Sequence, residues 1–356
     1  MHSNTVIDLF CGCGGFSRGF EDAGFEVVLA IDSWKDAIES FNINHHSPVG
    51  VTKNIYDFTN EEIKEFAKKN NVTGIIGGPP CQGFSMVGKR EASDARNTLY
   101  LQYVRFVEQV KPEFFILENV KGLLTLEKGY FRKEIIERFS ELGYNVTYKV
   151  LRACDYGVPQ KRERVFFVGL RKDKFGDKFF EYPLPQEHIV GTEEALCDLP
   201  SLDNEELCTE YKTKPQNDFQ KLMRKNSKNI KNNEVTLHSE QTKKIISMIP
   251  DGGNIKSLSE EYYKVRNYSS AFKRMNSKEP STTIDCGHRN YFHYKENRIP
   301  TVRESARIQS FSDDFEFLGS KTSQYTQVGN AVPPLLAEAV GNAINKMYED
   351  LEKNDN

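Results

Sequence analysis

Short apolar segments alternate with amphipathic ones along the first half of the chain. Helical spacing is seen in Phe16, Phe20 and Ala23, in KDAIESFNIN, and from about Leu99 to Gln109. The alternation predicts a parallel sheet with helices on both faces. The predicted strands are TVIDLF (5–10), VVLAID (27–32), TGIIGG (73–78), FFILENV (114–120) and a late strand, RVFFVGL (164–170).

This pattern changes at about residue 171. The stretch to about residue 279 is rich in Lys, Asn and Ser and shows little periodicity, and it is followed by VRESARIQSF and a final helix near 335–351. We therefore expect one domain made of residues 1–170 and 290–356, with a smaller irregular domain, 171–289, inserted between its two parts.

Charge is distributed unevenly between these parts. Residues 211–300 contain 18 Lys and Arg against 9 Asp and Glu, which leaves −12 for the rest of a chain whose net charge is −3. Such segregation fits a basic domain that meets a polyanion, although a lysine-rich solvated face explains it equally well.

The composition also indicates the cellular compartment in which the protein works. No apolar run approaches the roughly 18–20 residues of a membrane span, and the N-terminus lacks a signal-peptide pattern. The seven cysteines include no CxxC pair, which predicts reduced thiols and no metal site. We expect a cytoplasmic protein.

A glycine cluster, DLFCGCGG, follows the first predicted strand. Glycine at 12 and 14 would let the backbone approach a ligand above the sheet edge, but a dinucleotide fingerprint would need a third glycine where Ser17 stands. Asp32 is placed to accept both ribose hydroxyls of an adenosine, and Trp34 to stack on its base. These residues predict an adenosine cofactor, and a tight turn with a capping Asp is the alternative.

A single cysteine is held between glycines and prolines in GGPPCQGFS. Pro79 and Pro80 stiffen the approach to Cys81, while Gly77 and Gly78 would allow close contact with a ligand. With a free thiol pKa of about 8.5, a few per cent is thiolate near neutral pH. This setting favours a nucleophile over the small buried hydrophobe that a lone cysteine usually is.

Charged residues stand at the ends of two more predicted strands. Burial of Glu118 at the end of FFIL would raise its pKa and keep it protonated, which suits proton donation to a ring nitrogen. Arg162 and Arg164 alternate before VFFVGL, so their side chains should point to one face and hold an anionic or carbonyl group. A strand-end salt bridge would explain any one of these charges equally well.

Taken together, these motifs resemble the DNA (cytosine-5) methyltransferases of bacterial restriction–modification systems. The family's motifs occur in its order over nearly the whole chain, as DLFCGCGG, GGPPCQGFS, ENV, QKRERVFFVG, VRESARIQSF and QVGNAVPP. The resemblance implies an α/β, Rossmann-like S-adenosylmethionine-dependent methyltransferase fold with a mixed, mostly parallel sheet. It also implies that residues 1–170 and 290–356 form the catalytic domain and that 171–289 form the target-recognition domain.

The same resemblance implies roles for individual residues. Cys81 matches the nucleophile that adds to C6 of cytosine, and Gln82 lies beside it. Glu118 matches the acid that protonates N3, while Arg162 and Arg164 match the pair that binds the flipped base. Asn54 stands where the family often has an acidic residue. The positions matching contacts to S-adenosyl-L-methionine are Phe10, Gly12, Gly14, Asp32, Trp34, Asn54, Pro79, Leu99 and Asn330.

The implied activity is transfer of a methyl group to C5 of an everted cytosine in a short sequence of double-stranded DNA. The resemblance further implies a monomer in the bacterial cytoplasm, associated with the nucleoid, and a cognate restriction endonuclease that acts on the same site without a stable complex. Three alternatives stay open: an RNA (tRNA) cytosine-5 methyltransferase, an inactive DNA-binding regulator and, more remotely, a nicotinamide dehydrogenase.

Overall fold

The computed structural model describes residues 4–80, 97–203, 205–263, 272–287 and 290–354. The chain divides into two compact units. The first consists of Met1–Arg152, Glu163–Leu184 and Leu336–Asn356, and the second of Ala153–Arg162 and Pro185–Leu335. The second unit differs in its bounds from the predicted inserted domain, 171–289: it includes Ala153–Arg162 and extends to Leu335, whereas 171–184 belong to the first unit. Whether it reads the target sequence stays a prediction.

A seven-stranded sheet forms the centre of the first unit, with strand order β3-β2-β1-β4-β5-β7-β6. The strands from β3 to β5 in this order are parallel, whereas β7 runs antiparallel to both β5 and β6. The predicted mixed, mostly parallel sheet is confirmed. The strands are β1 Thr5–Leu9, β2 Glu26–Asp32, β3 Gly50–Thr52, β4 Gly74–Gly77, β5 Phe114–Val120, β6 Tyr144–Arg152 and β7 Glu163–Arg171.

Five helices of the first unit, α1 to α5, lie between successive strands along the chain, and α6 follows β7. Among them, α3 begins with a capping box, in which Thr59 accepts from the N–H of Glu62 and the Glu62 side chain accepts from the N–H of Thr59. The helices are α1 Gly15–Asp22, α2 Lys35–Asn44, α3 Asn60–Lys69, α4 Asn97–Val110, α5 Tyr130–Glu141 and the short α6 Lys172–Phe175.

Successive residues of the strands face opposite sides of the sheet. On one side, Ile7 and Leu9 of β1 belong to a buried cluster with Ile63 of α3, Phe106 of α4 and Phe139 of α5. Burial of this apolar surface between strands and helices is the main stabilising contribution of this layer.

The other side of the sheet is covered by α1 and by the final helix of the chain, Pro334–Asn354. The ring of Phe16 in α1 lies 6.1 Å from that of Phe166 in β7. The ring of Phe114 in β5 lies 6.5 Å from that of Tyr348 in the final helix. Helices therefore pack on both faces, as the sequence predicts.

The second unit is built from short helices around buried charges. Arg307 is fully buried and donates to Asp198 at 2.6 Å and to Asp313 at 2.6 Å, and these partners compensate for its loss of hydration. The elements of this unit are α7 Thr192–Leu196, α8 Asp218–Arg224, α9 Glu240–Met248, α10 Glu260–Tyr263, β8 Lys273–Arg274, β9 Tyr291–Phe292, α11 Val302–Ile308 and α12 Lys321–Asn330.

No helix within the described part of the chain combines the length and the apolar character that crossing a membrane requires.

Candidate active site

The parallel strands β1, β2, β4 and β5 end at the same edge of the sheet, at Leu9, Asp32, Gly77 and Val120. Residues 10–14, which we call the glycine loop, follow β1 there. Three of its five residues, Phe10, Gly12 and Gly14, have φ angles of 61°, 55° and 93°. A β-carbon on Gly12 would meet no atom within 4 Å, so the loop faces open space at this residue.

Asp32 ties the glycine loop to the end of β2. Its Oδ2 accepts from the N–H of Gly12 at 2.9 Å and its Oδ1 from the N–H of Trp34 at 2.9 Å. Burial raises the pKa of Asp32 above its ordinary value, against the lowering effect of these backbone bonds. Because a carboxylate oxygen accepts more than one hydrogen bond, Asp32 retains capacity for a ribose hydroxyl.

The remaining residues of the first unit that were predicted to contact the cofactor differ in exposure. Phe10, Trp34 and Leu99 are half-buried, and Asn54 is exposed. The side-chain oxygen of Asn54 accepts from the N–H of Tyr56 at 3.2 Å. Its amide therefore caps the turn that follows β3.

A side chain of α4 also stabilises the turn that begins at Asn54. Arg105 donates from Nη2 to the carbonyl of Ile55 at 3.0 Å and from Nη1 to that of Phe58 at 2.7 Å. Sequence reasoning missed Arg105, because nothing in the local sequence connects α4 with this turn.

The approach to Cys81 is fixed by contacts with neighbouring strands. Asn119 donates from Nδ2 to the carbonyl of the buried Pro79 at 2.9 Å. A β-carbon on Gly78 would lie 2.9 Å from Oε2 of Glu118, and one on Gly77 would lie 2.3 Å from the carbonyl oxygen of Leu9. Both glycines thus make room for neighbouring protein atoms, and their close contact with a ligand stays a prediction. Cys81 and Gln82 lie outside the described residues.

Glu118 is paired with Arg164 because of the register between β5 and β7. Val120 lies opposite Arg164, so Glu118, two residues earlier, is the diagonal neighbour of Arg164 on the same face. The guanidinium Nε lies 3.0 Å from Oε1 of Glu118. This is the strand-end salt bridge that the sequence left open as the alternative explanation for these charges, and the protonated state of Glu118 stays a prediction.

Arg162 belongs to the second unit and has different partners from Arg164. It is buried, and it donates from Nη1 to the carbonyl of Ile284 at 3.2 Å and from Nη2 to that of Gly329 at 3.0 Å. The next residue, Asn330, accepts from the thiol of Cys286 at 2.8 Å. Arg162 therefore fastens the QVGNAVPP motif to the segment around residue 284.

Gln160 supports the same arrangement and was not singled out from the sequence. It is fully buried, its Oε1 accepts from the N–H of Ile284 at 2.9 Å, and its Nε2 donates to the carbonyl of Ile308 at 3.3 Å. Its position two residues before Arg162 in QKRER is the signal that would have pointed to it.

Within the part of the chain that the structure describes, no group of three His, Cys, Asp or Glu side chains is arranged so that it could bind a metal ion. The arrangement at the sheet edge is a loop open at Gly12, a carboxylate beside it, and a Glu–Arg pair next to the segment that leads to Cys81.

Comparisons with known proteins agree with this arrangement. The sequence model of the family described as C-5 cytosine-specific DNA methylase matches residues 4–346. Type II methyltransferase M.DdeI of Desulfomicrobium norvegicum is 37% identical over 98% of this chain and 90% of that protein. Type II methyltransferase M1.HphI of Haemophilus parahaemolyticus is 39% identical over 97% of this chain and 87% of that protein.

Solved structures give the same picture. A crystal structure described as a DNA modification methyltransferase encoded within a prophage of E. coli has a TM-score of 0.82 and 28% identity, covering 98% of this chain and all of that one. The S. pombe Dnmt2 methyltransferase has a TM-score of 0.61 at 17% identity, covering 98% of this chain and 99% of that one, which shows a shared fold alone. The chain therefore belongs to the C-5 cytosine-specific DNA methylase family and is a DNA (cytosine-5) methyltransferase.

Proposed function

We propose that this enzyme is the modification component of a Type II restriction–modification system. It would transfer a methyl group from S-adenosyl-L-methionine to C5 of a flipped-out cytosine in a short, specific sequence of duplex DNA. The observation that carries the proposal is the Glu118–Arg164 pair at the sheet edge, next to the Pro79 backbone that leads to Cys81. The family match over residues 4–346 and the Type II relatives support the same role.

The residues at the glycine loop fit S-adenosylmethionine. Gly12 faces open space, which gives the cofactor room to approach the backbone. Asp32 would accept the ribose hydroxyls, and Trp34 and Leu99 would contribute apolar surface for the adenine, with Asn54 beside it. When bound, the cofactor supplies an activated methyl group on a sulfonium.

The chain's own residues would prepare the cytosine for methylation. The thiolate of Cys81 adds to C6 while Glu118 gives a proton to N3, which makes C5 electron-rich enough to accept the methyl group. Loss of the C5 proton then expels the Cys81 sulfur, and the N3 proton returns to Glu118, which Arg164 stabilises as a carboxylate. The base must leave the duplex, because C6 is inaccessible in a stacked helix.

The target sequence would be read by residues 171–289, which lie largely in the second unit. Exposed lysines such as Lys225, Lys228, Lys244 and Lys256 are available for phosphate contacts. A cognate endonuclease would share the target site without a stable complex. The enzyme would work as a monomer at the nucleoid in the bacterial cytoplasm.

Replacement of Cys81 by serine tests the nucleophile. We expect Cys81→Ser to abolish methylation of duplex DNA while specific DNA binding changes by less than about twofold, because an alcohol at neutral pH is a far weaker nucleophile than a thiolate. The wild-type enzyme should form a denaturation-resistant complex with duplex DNA containing 5-fluorocytosine, and the variant should not.

The control for this experiment is Cys197→Ser, because Cys197 is half-buried in the second unit, where its thiol contacts Gln216 and Gln220. This variant should methylate and trap like the wild type. Substantial methylation by Cys81→Ser would refute the assignment. Labelling of tRNA in place of duplex DNA in a parallel assay would favour the RNA alternative.

A further inference from the structure

One side of the glycine loop is closed by the side chain of His45. A β-carbon placed on Gly14 would lie only 2.1 Å from Nε2 of His45 and 2.6 Å from the ring of Phe41. The space next to Gly14 is thus filled by protein, in contrast to the open space next to Gly12. Any residue other than glycine at position 14 would collide with the His45 ring.

Two contacts hold the His45 ring in place. It stacks on Phe41 with ring centroids 3.8 Å apart and an angle of 14° between the planes. Its Nδ1 lies 2.8 Å from Oε2 of Glu21, and the two side chains are 0% and 6% exposed. A buried pair with such contacts has little freedom to move, since any displacement would leave a polar group without its partner.

The His45 ring also lies close to α1 at two positions along the helix. Gly14 is the N-cap of α1, and Glu21, seven residues later, stands about two turns further along the same face. His45 itself is the C-cap of α2, where its N–H donates to the carbonyl of Phe41 at 3.2 Å. The His45 ring therefore connects the end of α2 with the N-cap of α1 and with the side chain of Glu21.

The backbone of the glycine loop needs such support. Left-handed φ angles at Phe10, Gly12 and Gly14 are costly for Phe and persist only where surrounding contacts fix them. Asp32 fixes the loop at Gly12 through a hydrogen bond, and the His45 ring packs against it at Gly14. These two contacts act on the same short loop, at positions two residues apart.

We propose that the buried His45–Glu21 pair is a positioning device that holds the glycine loop in the shape that binds the cofactor. The inference rests on the proposed binding of S-adenosylmethionine at this loop. His45 would act through Gly14 and not by touching the cofactor. Its loss should therefore weaken cofactor binding more than it affects DNA binding or turnover at saturating cofactor.

The test is calorimetric titration of the full-length protein with S-adenosylhomocysteine, which reports binding without turnover. We expect His45→Ala to raise the dissociation constant by about tenfold or more, while affinity for duplex DNA changes by less than about twofold. Glu21→Ala should weaken cofactor binding at least about threefold, and Glu21→Gln, which retains a hydrogen-bond partner for the ring, should restore most of it.

A double-mutant cycle tests the contact itself. Gly14→Ala should weaken binding strongly in the wild type, because the added β-carbon meets the His45 ring. In His45→Ala the φ of 93° and the Phe41 ring still oppose a β-carbon, so the same substitution should weaken binding again, but by a clearly smaller factor. Equal factors in both backgrounds would show that the ring does not hold the loop, and would overturn the proposal.

His293→Ala is the matched control, because His293 is also buried and its Nε2 lies 3.6 Å from Oε1 of Glu304, but in the second unit. It should lower stability without changing the dissociation constant of S-adenosylhomocysteine. If the wild type fails to bind this ligand, the proposed function fails. If the wild type binds it and His45→Ala binds it equally well, only the role of His45 is refuted.

Discussion

At the residue scale, Asp8 is a buried carboxyl that the proposed reaction does not use. It lies in the middle of β1, where Oδ2 accepts from the hydroxyl of Ser17 at 2.6 Å, while Oδ1 has no hydrogen-bond partner among the described residues. Burial raises the pKa of Asp8 to about 7, with the Ser17 bond acting in the opposite direction. The folded protein thus binds a proton more readily than the unfolded chain.

Replacement of Asp8 by asparagine should make stability less dependent on pH. Because the folded pKa of about 7 exceeds the unfolded value of 3.8, wild-type stability should fall as pH rises between these values and then level off. The full effect is about 4 kcal/mol. Asp8→Asn keeps an acceptor for Ser17, so it should unfold at higher urea concentration than the wild type at pH 8, with a smaller advantage at pH 5.

The control for this substitution is Asp177→Asn, at an exposed aspartate of the same unit. It should change stability little at either pH. A pH-independent difference between Asp8→Asn and the wild type would mean that the Asp8 carboxyl is not the source of the effect.

The sequence predicts residue positions better than residue contacts. Motif spacing places Glu118 and Asp32 at strand ends, and the structure has both there. The pairing of Glu118 with Arg164 depends on the register between β5 and β7, which are separated by more than 40 residues and whose pairing no local pattern encodes. The roles assigned to Cys81 and Gln82 stay predictions, since both residues lie outside the described part of the chain.

At the scale of elements, strands were predicted where they are buried on both faces. All of β1 and all but the last residue of β5 are buried, and both strands begin with mainly apolar residues. β6 at one edge of the sheet was missed because polar residues interrupt YNVTYKVLR and leave it half-exposed. β3 at the other edge is only three residues long.

The end of β5 also positions the segment that leads to Cys81, and Asn119→Ala tests this link. The substitution would leave the buried carbonyl of Pro79 without its donor, at a cost of about 1–3 kcal/mol. We expect lower stability together with a kcat reduced by about tenfold or more, because a small displacement of a catalytic group slows the reaction strongly.

Asn145→Ala provides the comparison. Asn145 is also buried and donates to backbone carbonyls, of Gly176 at 2.7 Å and Lys178 at 3.0 Å. It lies near the start of β6, level with the start of β5 and therefore far from the strand ends that form the candidate site. Its loss should lower stability to a similar extent and leave kcat nearly unchanged. Equal effects of the two substitutions on kcat would show that Asn119 acts only through stability.

At the scale of the whole molecule, the positive charge of residues 211–300 divides into two classes. Arg274 and Arg298 are buried; Arg274 donates to backbone carbonyls, including those of Ile249 and Ile246, and Arg298 pairs with Glu304. These arginines stabilise the second unit. Among the residues of this segment that the structure describes, the exposed positive charge is carried mainly by lysines, which are available to a polyanion.

Salt dependence of DNA binding distinguishes these roles. Joint replacement of Lys225, Lys228, Lys244 and Lys256 by glutamine should weaken binding and reduce the slope of log affinity against log salt by up to about 0.9 for each phosphate that is no longer neutralised. Replacement of the exposed Lys64, Lys68 and Lys69 on α3 should leave the slope unchanged. An unchanged slope in the first variant would argue against these lysines as phosphate-binding groups.

The short stretch Ala153–Arg162 has a consequence for exchanging target specificity between relatives. It belongs to the second unit although it precedes β7 of the first, and its partners include Ser281, Ile284 and Gly329. A chimera that swaps residues 185–280 would keep those three partners. One whose boundary runs past 284 would replace two of them with foreign sequence and would need the donor's 153–162 as well.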